Sequence, residues 1–213
     1  MSQMYLLSRL DVRDRCSIIN GMIITIARQC GCKAACLGRI LAKDLGLKLY
    51  TRQDLMEKAR EKGMLDEMRS FFEECPLDDL TSAITDYGFL DEDIRPRFCR
   101  FFNDIIGDES CIIIGRCGNY VFRHREDLVS IFLHGNRSQR IRNVAEEEHL
   151  GEAAAADFVD EVDEHRMSYH RYYTGLTWGN ATDYDLSVDC LRMGTEKTAM
   201  LIERYIGMLQ PRS

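Results

Sequence analysis

Residues 22–45 have the sequence MIITIARQCGCKAACLGRILAKDL, and the architecture can be worked out from this stretch. Its first six residues form an apolar, β-branched run of the length of a buried strand. A polar loop containing Gly31 follows, and from Ala34 the apolar residues recur at the spacing of one helix face. Gly46 then supplies a helix stop. The stretch therefore predicts a strand, a tight loop and a helix, in that order.

The rest of the chain repeats this alternation of short strands and helices. Further strands are predicted at residues 47–50, 111–114, 128–133 and 183–190, and helices at residues 138–150, 152–173 and 195–209. Residues 51–107 are predicted to be helical throughout, with breaks at Gly63, Cys75-Pro76, Gly88 and Gly107. This order predicts an α/β fold with a five-stranded, parallel, doubly wound sheet. Ligands of such folds bind at the carboxyl ends of the strands, which directs attention to the residues after Ala27, Ile114, Leu133 and Cys190.

Composition narrows the classes of function. The chain has 213 residues, of which 45% are hydrophobic and 30% charged, so we expect one large domain or one domain with a helical insert. The net charge of −7 argues against a nucleic-acid partner. The absence of an apolar run of about 18 residues argues against a membrane partner. The basic residues are mostly arginines, which fits a phosphate ligand, although codon bias is the plainer explanation.

The nine cysteines are scattered, and the first residues hold only a short apolar segment, residues 4–7, before charged positions. This pattern predicts reduced thiols and a cytoplasmic protein. One cluster stands out, Cys30, Cys32 and Cys36. Zinc sites pair two closely spaced cysteines with a second such pair, which is missing here. We therefore assign no metal, and a redox or metal role for the cluster stays an alternative.

The first candidate site is the loop at residues 28–36. A loop between a first strand and a first helix aims backbone N–H groups at one point, and the helix dipole adds positive potential there. A full phosphate-binding loop has the pattern G-x-x-x-x-G-K-[ST], whereas this loop has one glycine and one lysine and lacks the Ser or Thr. An ordinary strand-to-helix turn is therefore the alternative interpretation.

Two further candidates are arginines. Arg116 directly follows the most apolar strand, so it lies over the expected ligand crevice, or else caps a surface helix. Arg137 and Arg140 share one helix face and are followed by Arg142; they would reach a transferring phosphoryl group, or would face solvent and pair with residues 146–148.

The fourth candidate is a stripe on the next helix. Asp160, Asp163 and Arg166 are three residues apart and lie on one face. They form either a binding stripe in which the carboxylates fix the arginine, or an internal ladder of ion pairs.

Together these segments resemble the cytidylate kinase-like family, relatives of the P-loop nucleoside monophosphate kinases. The resemblance extends from Met22 to about Ile206 and rests on the stretches IITIARQCGC, LGRILAKDLGLKLYTRQDL, CIIIGRCGNY and HRMSYHRYYTGLTWGNATDYDLSVDC. Its most specific part is Tyr169 to Gly179. The resemblance implies a P-loop kinase-type domain over residues 22–213, preceded by an N-terminal extension over residues 1–21. It also implies a helical insert over the acceptor site at residues 52–107, here called the insert. A helical lid would lie at residues 137–180, here called the lid region.

The resemblance further implies ATP and Mg²⁺ as cofactors. The donor phosphates would be held by Arg28, Gly31, Cys32, Lys33, Ala34, Ala35 and Cys36. The acceptor would be bound by Arg116, Asp160, Asp163 and Arg166, and the catalytic groups would be Arg140, Arg166 and Lys33. The acceptor itself would be a nucleoside monophosphate or a similar small molecule.

The first loop departs from that of a working cytidylate kinase. Lys33 and Ala34 stand where such kinases have a glycine and the phosphate-binding lysine, and Ala35 replaces the hydroxyl that would meet Mg²⁺. Arg28 replaces the first glycine, Cys117 replaces an aspartate and Val159 replaces an arginine. Cytidine specificity is therefore not supported.

Two functions stay open: a kinase that uses ATP, and a nucleotide-binding or regulatory protein that keeps the fold without catalysis. A homo-oligomer also stays open, because the apolar insert helices form either core or a dimer face.

Overall fold

In a computed structural model, which describes residues 21–66, 69–72 and 94–209, five strands form one parallel sheet. The strands are β1 (Ile23–Arg28), β2 (Lys48–Tyr50), β3 (Cys111–Ile114), β4 (Leu128–His134) and β5 (Leu186–Asp189), in the order β2-β3-β1-β4-β5. In the centre, Ile24 of β1 lies opposite Ile112 on one side and Val129 on the other. The predicted fold class is confirmed.

Nine helices connect these strands within the described residues. They are α1 (Ala34–Leu45), α2 (Arg52–Glu61), α3 (Arg69–Phe72), α4 (Ile94–Ile106), α5 (Gly118–Val121), α6 (Arg137–Glu147), α7 (Glu152–Thr174), α8 (Cys190–Met193) and α9 (Thr195–Ile206). A 3₁₀ turn, Ala181–Asp183, precedes β5.

Local side-chain chemistry sets the helix ends. Gly46 ends α1 with φ 69° and donates its N–H to the carbonyl of Ala42, the left-handed cap that glycine favours. Thr51 and Asp54 form a capping box at the start of α2. The side chain of Asn136 accepts the amides of Ser138 and Gln139, so α6 begins at Arg137, one residue before the prediction.

The last strand is shorter than predicted. Asp185 is taken out of the predicted strand because its carboxylate accepts both the amide and the hydroxyl of Ser130, each at 2.8 Å. At the other end, Asp189 caps the short helix α8 by accepting the amide of Arg192. Residue 190 therefore begins a helix and does not end the strand.

The sheet has a hydrophobic core on each face. On one face, Ile23 and Ile113 pack against the insert helices, and on the other, Ile24 and Ile112 pack against α1 and α9. The insert phenylalanines that the structure describes are buried: Phe71, Phe72, Phe98, Phe101 and Phe102 are at most 3% exposed. Burying each such ring contributes about 1.5–3 kcal/mol, so these side chains belong to the core and not to an open dimer face.

A third, smaller cluster lies on the loop that follows β1. It joins Cys30 of that loop to Ile141 and Val144 of α6 and to Ala155 and Val159 of α7. The lid region is therefore packed directly against the first loop.

Some predictions lie outside the described residues, namely the extension at residues 1–20 and the breaks at Cys75-Pro76 and Gly88. The breaks at Gly63 and Gly107 are confirmed, each with a positive φ. The domain boundaries stay predictions. In the part of the chain that the structure describes, no helix is both long and apolar enough to cross a bilayer.

Candidate active site

The loop between β1 and α1 makes its sharpest turns at Gly31 and Lys33, which have φ angles of 77° and 54°. At Gly31 the backbone of α6 approaches so closely that a Cβ would come within 2.5 Å of the carbonyl oxygen of Arg140, so only glycine fits. The first amides of a helix have no intrahelical partner, and the side chain of the cap residue Lys33 does not satisfy them. The amino end of α1 is therefore a site of positive potential suited to phosphate.

Asp163 joins the lid region to this loop. Its Oδ1 accepts the amide of Cys30 at 2.7 Å, and its Oδ2 accepts Nη1 of Arg140 at 2.6 Å. Arg140 also donates to the carbonyls of Cys30 and Gly135, at 3.2 Å each. Because the Asp163 and Arg140 side chains are only 13% and 7% exposed, both are committed to holding α6 and α7 on the loop.

Asp160 lies outside this network. It pairs with Arg137 at the surface, where the two side chains are 61% and 54% exposed. The guanidinium of Arg137 lowers the pKa of the Asp160 carboxyl. Within the sequence stripe of Asp160, Asp163 and Arg166, the first aspartate therefore forms a surface ion pair with Arg137. The second forms a buried ion pair with Arg140.

A cavity of about 770 Å³ opens at the carboxyl ends of β1 and β3, between α2 and α7. This volume is typical of small-molecule sites. Five arginines contribute to its lining, whereas Glu57 is the one carboxylate among the lining residues that the structure describes. The arginines are Arg28, Arg52, Arg60, Arg116 and Arg166. The cavity also reaches Ala35 in the first turn of α1. Its electrostatics therefore favour an anionic ligand beside the helix amides.

Arg28 and Arg166 lie together on the loop side of the cavity. The guanidinium of Arg28 crosses from β1 to β3 and lies against Gly115, so closely that a Cβ there would collide with Nη1. Arg166 donates to the carbonyl of Arg28 at 3.3 Å and lies 3.7 Å from Asp163. Asp163 thus orients Arg166 as well as Arg140.

Arg116 connects the cavity to the insert. It has φ 54°, is buried, and donates Nη1 to the carbonyl of Phe71 at 3.1 Å. Its guanidinium lies 5.2 Å from the ring centre of Tyr169, whose hydroxyl donates to the same Phe71 carbonyl at 2.8 Å. Arg116 therefore positions the insert at the same time as it lines the cavity.

The sequence-predicted residues fall into two groups. Arg28, Ala35, Arg116 and Arg166 line the cavity. The others are not among its lining residues: Gly31, Cys32, Lys33, Ala34, Cys36, Arg140, Asp160 and Asp163. Their proposed roles stay predictions.

Several lining residues were missed from the sequence, Arg52, Arg60 and His170 among them. Arg52 and Arg60 are eight residues apart on α2, with Met56 midway, so the i, i+4, i+8 spacing after β2 would have identified this face. His170 also lines the cavity, and its Nε2 is buried without a hydrogen-bond partner among the described residues. His165 and His170 both lie on the tyrosine-rich helix α7, and nothing in the sequence singled out His170.

The cysteines of the loop serve packing. Cys30 and Cys32 are buried, and the Cys190 thiol donates to the carbonyl of Cys32 at 3.4 Å. Burial raises the pKa of the Cys30 thiol, and the interaction with Cys190 raises that of Cys32. Both are therefore neutral thiols near pH 7. Within the described ranges, no three His, Cys, Asp or Glu residues are grouped to hold a metal ion.

The residues around the first turn of α1 fit the phosphates of ATP better than they fit Mg²⁺. The amides of α1, Arg28 and Arg166 suit phosphate. Mg²⁺ prefers oxygen ligands, but the first turn of α1 has no acidic residue, Ala35 has no hydroxyl, and both oxygens of Asp163 already accept hydrogen bonds. The residues present at this turn therefore fit the phosphates and add no ligand for the cation.

Comparisons with known proteins agree with this fold. A model of the cytidylate kinase-like family matches residues 23–191. An uncharacterised protein from Eubacterium ventriosum superposes with a TM-score of 0.68 at 22% identity, over 88% of this chain and 99% of that one.

Two shikimate kinases share the fold. The enzyme from Acinetobacter baumannii, in complex with shikimate, has a TM-score of 0.52 at 11% identity, over 92% of this chain and 99% of that one. The enzyme from Bacteroides thetaiotaomicron has a TM-score of 0.51 at 13% identity, over 88% and 99%. A comparison with functionally curated proteins gave no significant match. Because the family model spans most of the chain, from the first strand to α8, the chain belongs to the cytidylate kinase-like family.

Proposed function

We propose that the protein is a small-molecule kinase that transfers the terminal phosphoryl group of ATP to an anionic acceptor. The observation that carries the proposal is the arginine-lined cavity at the carboxyl ends of β1 and β3, with the first turn of α1 at its edge. Phosphoryl transfer needs positioning and charge neutralisation more than covalent chemistry. Helix amides and several guanidinium groups around one cavity supply both.

The two ligands would occupy different walls. The donor phosphates would face the amino end of α1 together with Arg28 and Arg166. The acceptor would lie nearer the insert, facing Arg52, Arg60 and Arg116. Positive charge between two anions lowers the cost of bringing them together and stabilises the charge on the transferring group.

With a phosphorylated acceptor, the chemistry needs no general base. An ionised phosphate oxygen of the acceptor attacks the terminal phosphorus, the bond to the bridging oxygen breaks, and the nucleoside diphosphate leaves with the bond's electron pair. The cavity arginines hold the two phosphates in line. Mg²⁺ is the ion expected from the family resemblance, and no role of a residue here depends on it.

A second candidate is a nucleotide-binding protein without catalysis. Two observations favour it: the carboxylate of Asp163 occupies the Cys30 amide, and Arg140 is committed to that carboxylate. An amide and an arginine that are already paired inside the protein stabilise no transferring phosphoryl group.

The test is a direct assay. The protein is incubated with ATP and Mg²⁺ and, in turn, with each common nucleoside monophosphate and with small hydroxy acids, and phosphorus NMR follows the products. We expect transfer to at least one acceptor. Replacement Arg28→Gln should reduce the rate, whereas Arg39→Gln, exposed on α1 and outside the cavity, should leave it unchanged. ATP binding without any transfer would favour the second candidate. A protein that neither binds ATP nor transfers phosphate would exclude both candidate functions.

A further inference from the structure

His170 is an unusual member of the cavity wall. Its side chain is on α7, it is only 3% exposed, and it lines the cavity. Its Nε2 has no hydrogen-bond partner among the described residues. Buried polar atoms nearly always have a partner, so an unpartnered nitrogen on a residue that lines a ligand-sized cavity points to a partner that arrives with the ligand.

The imidazole differs from the arginines beside it in carrying no charge. Burial lowers the pKa of His170 to about 4, so the ring is neutral near pH 7. A neutral imidazole offers one N–H donor and one acceptor nitrogen. It is suited to recognise an uncharged polar group, and adds no positive charge to the binding of phosphate.

The position of His170 fixes which part of a ligand it meets. Arg166 and His170 are four residues apart on α7, so they lie one above the other, about 6 Å apart along the helix axis. An acceptor whose phosphate meets the donor phosphates beside Arg166 therefore extends its next part towards His170. Tyr169 and Trp178 line the cavity as well, and aromatic side chains favour a planar ring.

We propose that His170 is a specificity-determining residue that forms one hydrogen bond through Nε2 to the ring or exocyclic group of a heterocyclic base carried by the phosphorylated acceptor. The inference rests on the proposed function, because it assigns the acceptor site of that reaction. A site built to hydrogen-bond a polar group discriminates strongly against molecules that lack it, since its own buried group is then left without a partner.

The test separates recognition of the base from recognition of phosphate. The full-length protein is titrated calorimetrically with the four common ribonucleoside monophosphates and with ribose 5-phosphate, which keeps the anion and lacks a base. We expect at least one monophosphate to bind more than tenfold tighter than ribose 5-phosphate. In His170→Leu this advantage should fall about tenfold, as expected for the loss of one buried hydrogen bond, with ribose 5-phosphate affinity unchanged. His170→Gln, which keeps a polar nitrogen, should retain part of the advantage. His124→Gln, exposed and outside the cavity, is the control.

Three results overturn the inference. One is a parent protein that binds ribose 5-phosphate as tightly as every monophosphate, or that binds none of them. Another is a His170→Leu variant that keeps the full advantage. The third is a variant that loses both ligands equally, which would mean a structural role.

The proposed function fails separately. Base recognition through His170 without phosphoryl transfer in the assay would exclude the kinase and leave the inference standing. Transfer to an acceptor that lacks a base, with kcat/KM unchanged in His170→Leu, would support the kinase and exclude the inference about His170.

Discussion

Asp163 and Arg140 form a buried ion pair, 2.6 Å long, that fastens the lid region to the loop between β1 and α1. Removing one partner of such a pair leaves the other charge buried and uncompensated, which typically costs 3–5 kcal/mol. Asp163→Ala also removes the acceptor of the Cys30 amide. We therefore expect this variant to lose about 3 kcal/mol or more of its free energy of unfolding, measured by urea denaturation.

The matched control for this variant is Asp160→Ala. Asp160 is on the same helix and pairs with Arg137 on α6, but at the surface. Exposed ion pairs contribute little to stability, so this variant should be indistinguishable from the parent. Equal losses in the two variants would contradict the assignment of Asp163 as the residue that holds α6 and α7 on the loop.

Gly31→Ala tests the close approach of α6 to the loop. The substitution adds a Cβ at a positive φ and within 2.5 Å of the Arg140 carbonyl oxygen. Gly63→Ala is the control, because Gly63 also has a positive φ, 69°, while nothing lies within 4 Å of its Cβ. The control should cost only the left-handed penalty of about 1–2 kcal/mol. Gly31→Ala should cost clearly more in the same thermal or urea denaturation; an equal cost would mean that α6 can move away without loss.

In the proposed function, the donor phosphates are bound by the side chain of either Arg28 or Lys33, and two substitutions decide between them. Arg28 lines the cavity, whereas Lys33 is not among its lining residues. We expect Arg28→Gln to weaken ATP binding about tenfold, corresponding to about 1.4 kcal/mol for a lost charge-assisted contact, and Lys33→Gln to leave it nearly unchanged. Isothermal titration of ATP measures both. The opposite ranking would return the role to Lys33, as the resemblance implies.

The buried imidazole of His170 predicts a dependence of stability on pH. Its pKa in the folded protein is about 4, below the unfolded value of about 6.5. Between these values the unfolded chain binds more protons, so the free energy of unfolding rises with pH there. This contribution is fully present above pH 6.5 and is lost as the pH falls towards 4, with a slope of up to about 1.4 kcal/mol per pH unit.

The measurement is urea denaturation of the parent and of His170→Gln at pH values from 4 to 7. The glutamine variant should lack this part of the slope, so the two curves should diverge as the pH rises from 4 to 6.5. His124→Gln, at the surface, should follow the parent. Parallel curves for the parent and His170→Gln would mean that the imidazole is protonated without cost in the folded state.

Most of the fold follows from local patterns in the sequence. The strands β1, β3 and β4 are buried on both faces, so each is a continuous apolar run that can be recognised without an alternating pattern. Gly46 marks the end of α1 because glycine readily adopts the left-handed conformation of the cap. The errors occur where a side chain outweighs the local pattern. Asp185 bonds to Ser130 across the sheet and Asp189 caps α8. The contact of Asp185 has no local signature, whereas the Asp189 cap is a local helix-start signature that the prediction missed.

The candidate site was less accessible to sequence reasoning. Arg116 and Arg166 could be found because a strand end and a helix stripe locate them. The commitment of Arg140 could not, because it depends on Asp163 reaching a loop amide 133 residues away in the sequence. His170 could not be found either, since its interest lies in a missing partner, which only the packed structure reveals.

The carbonyl of Phe71 accepts hydrogen bonds from Arg116, which follows β3, and from Tyr169 on α7. Both donors recognise a main-chain atom, so this attachment does not depend on the identity of the side chain at position 71. Substitutions in the insert outside its buried phenylalanines can therefore accumulate without releasing it from the sheet. A scaffold built in this way can exchange the surface that it presents to its ligand in the course of evolution while its anchoring stays the same.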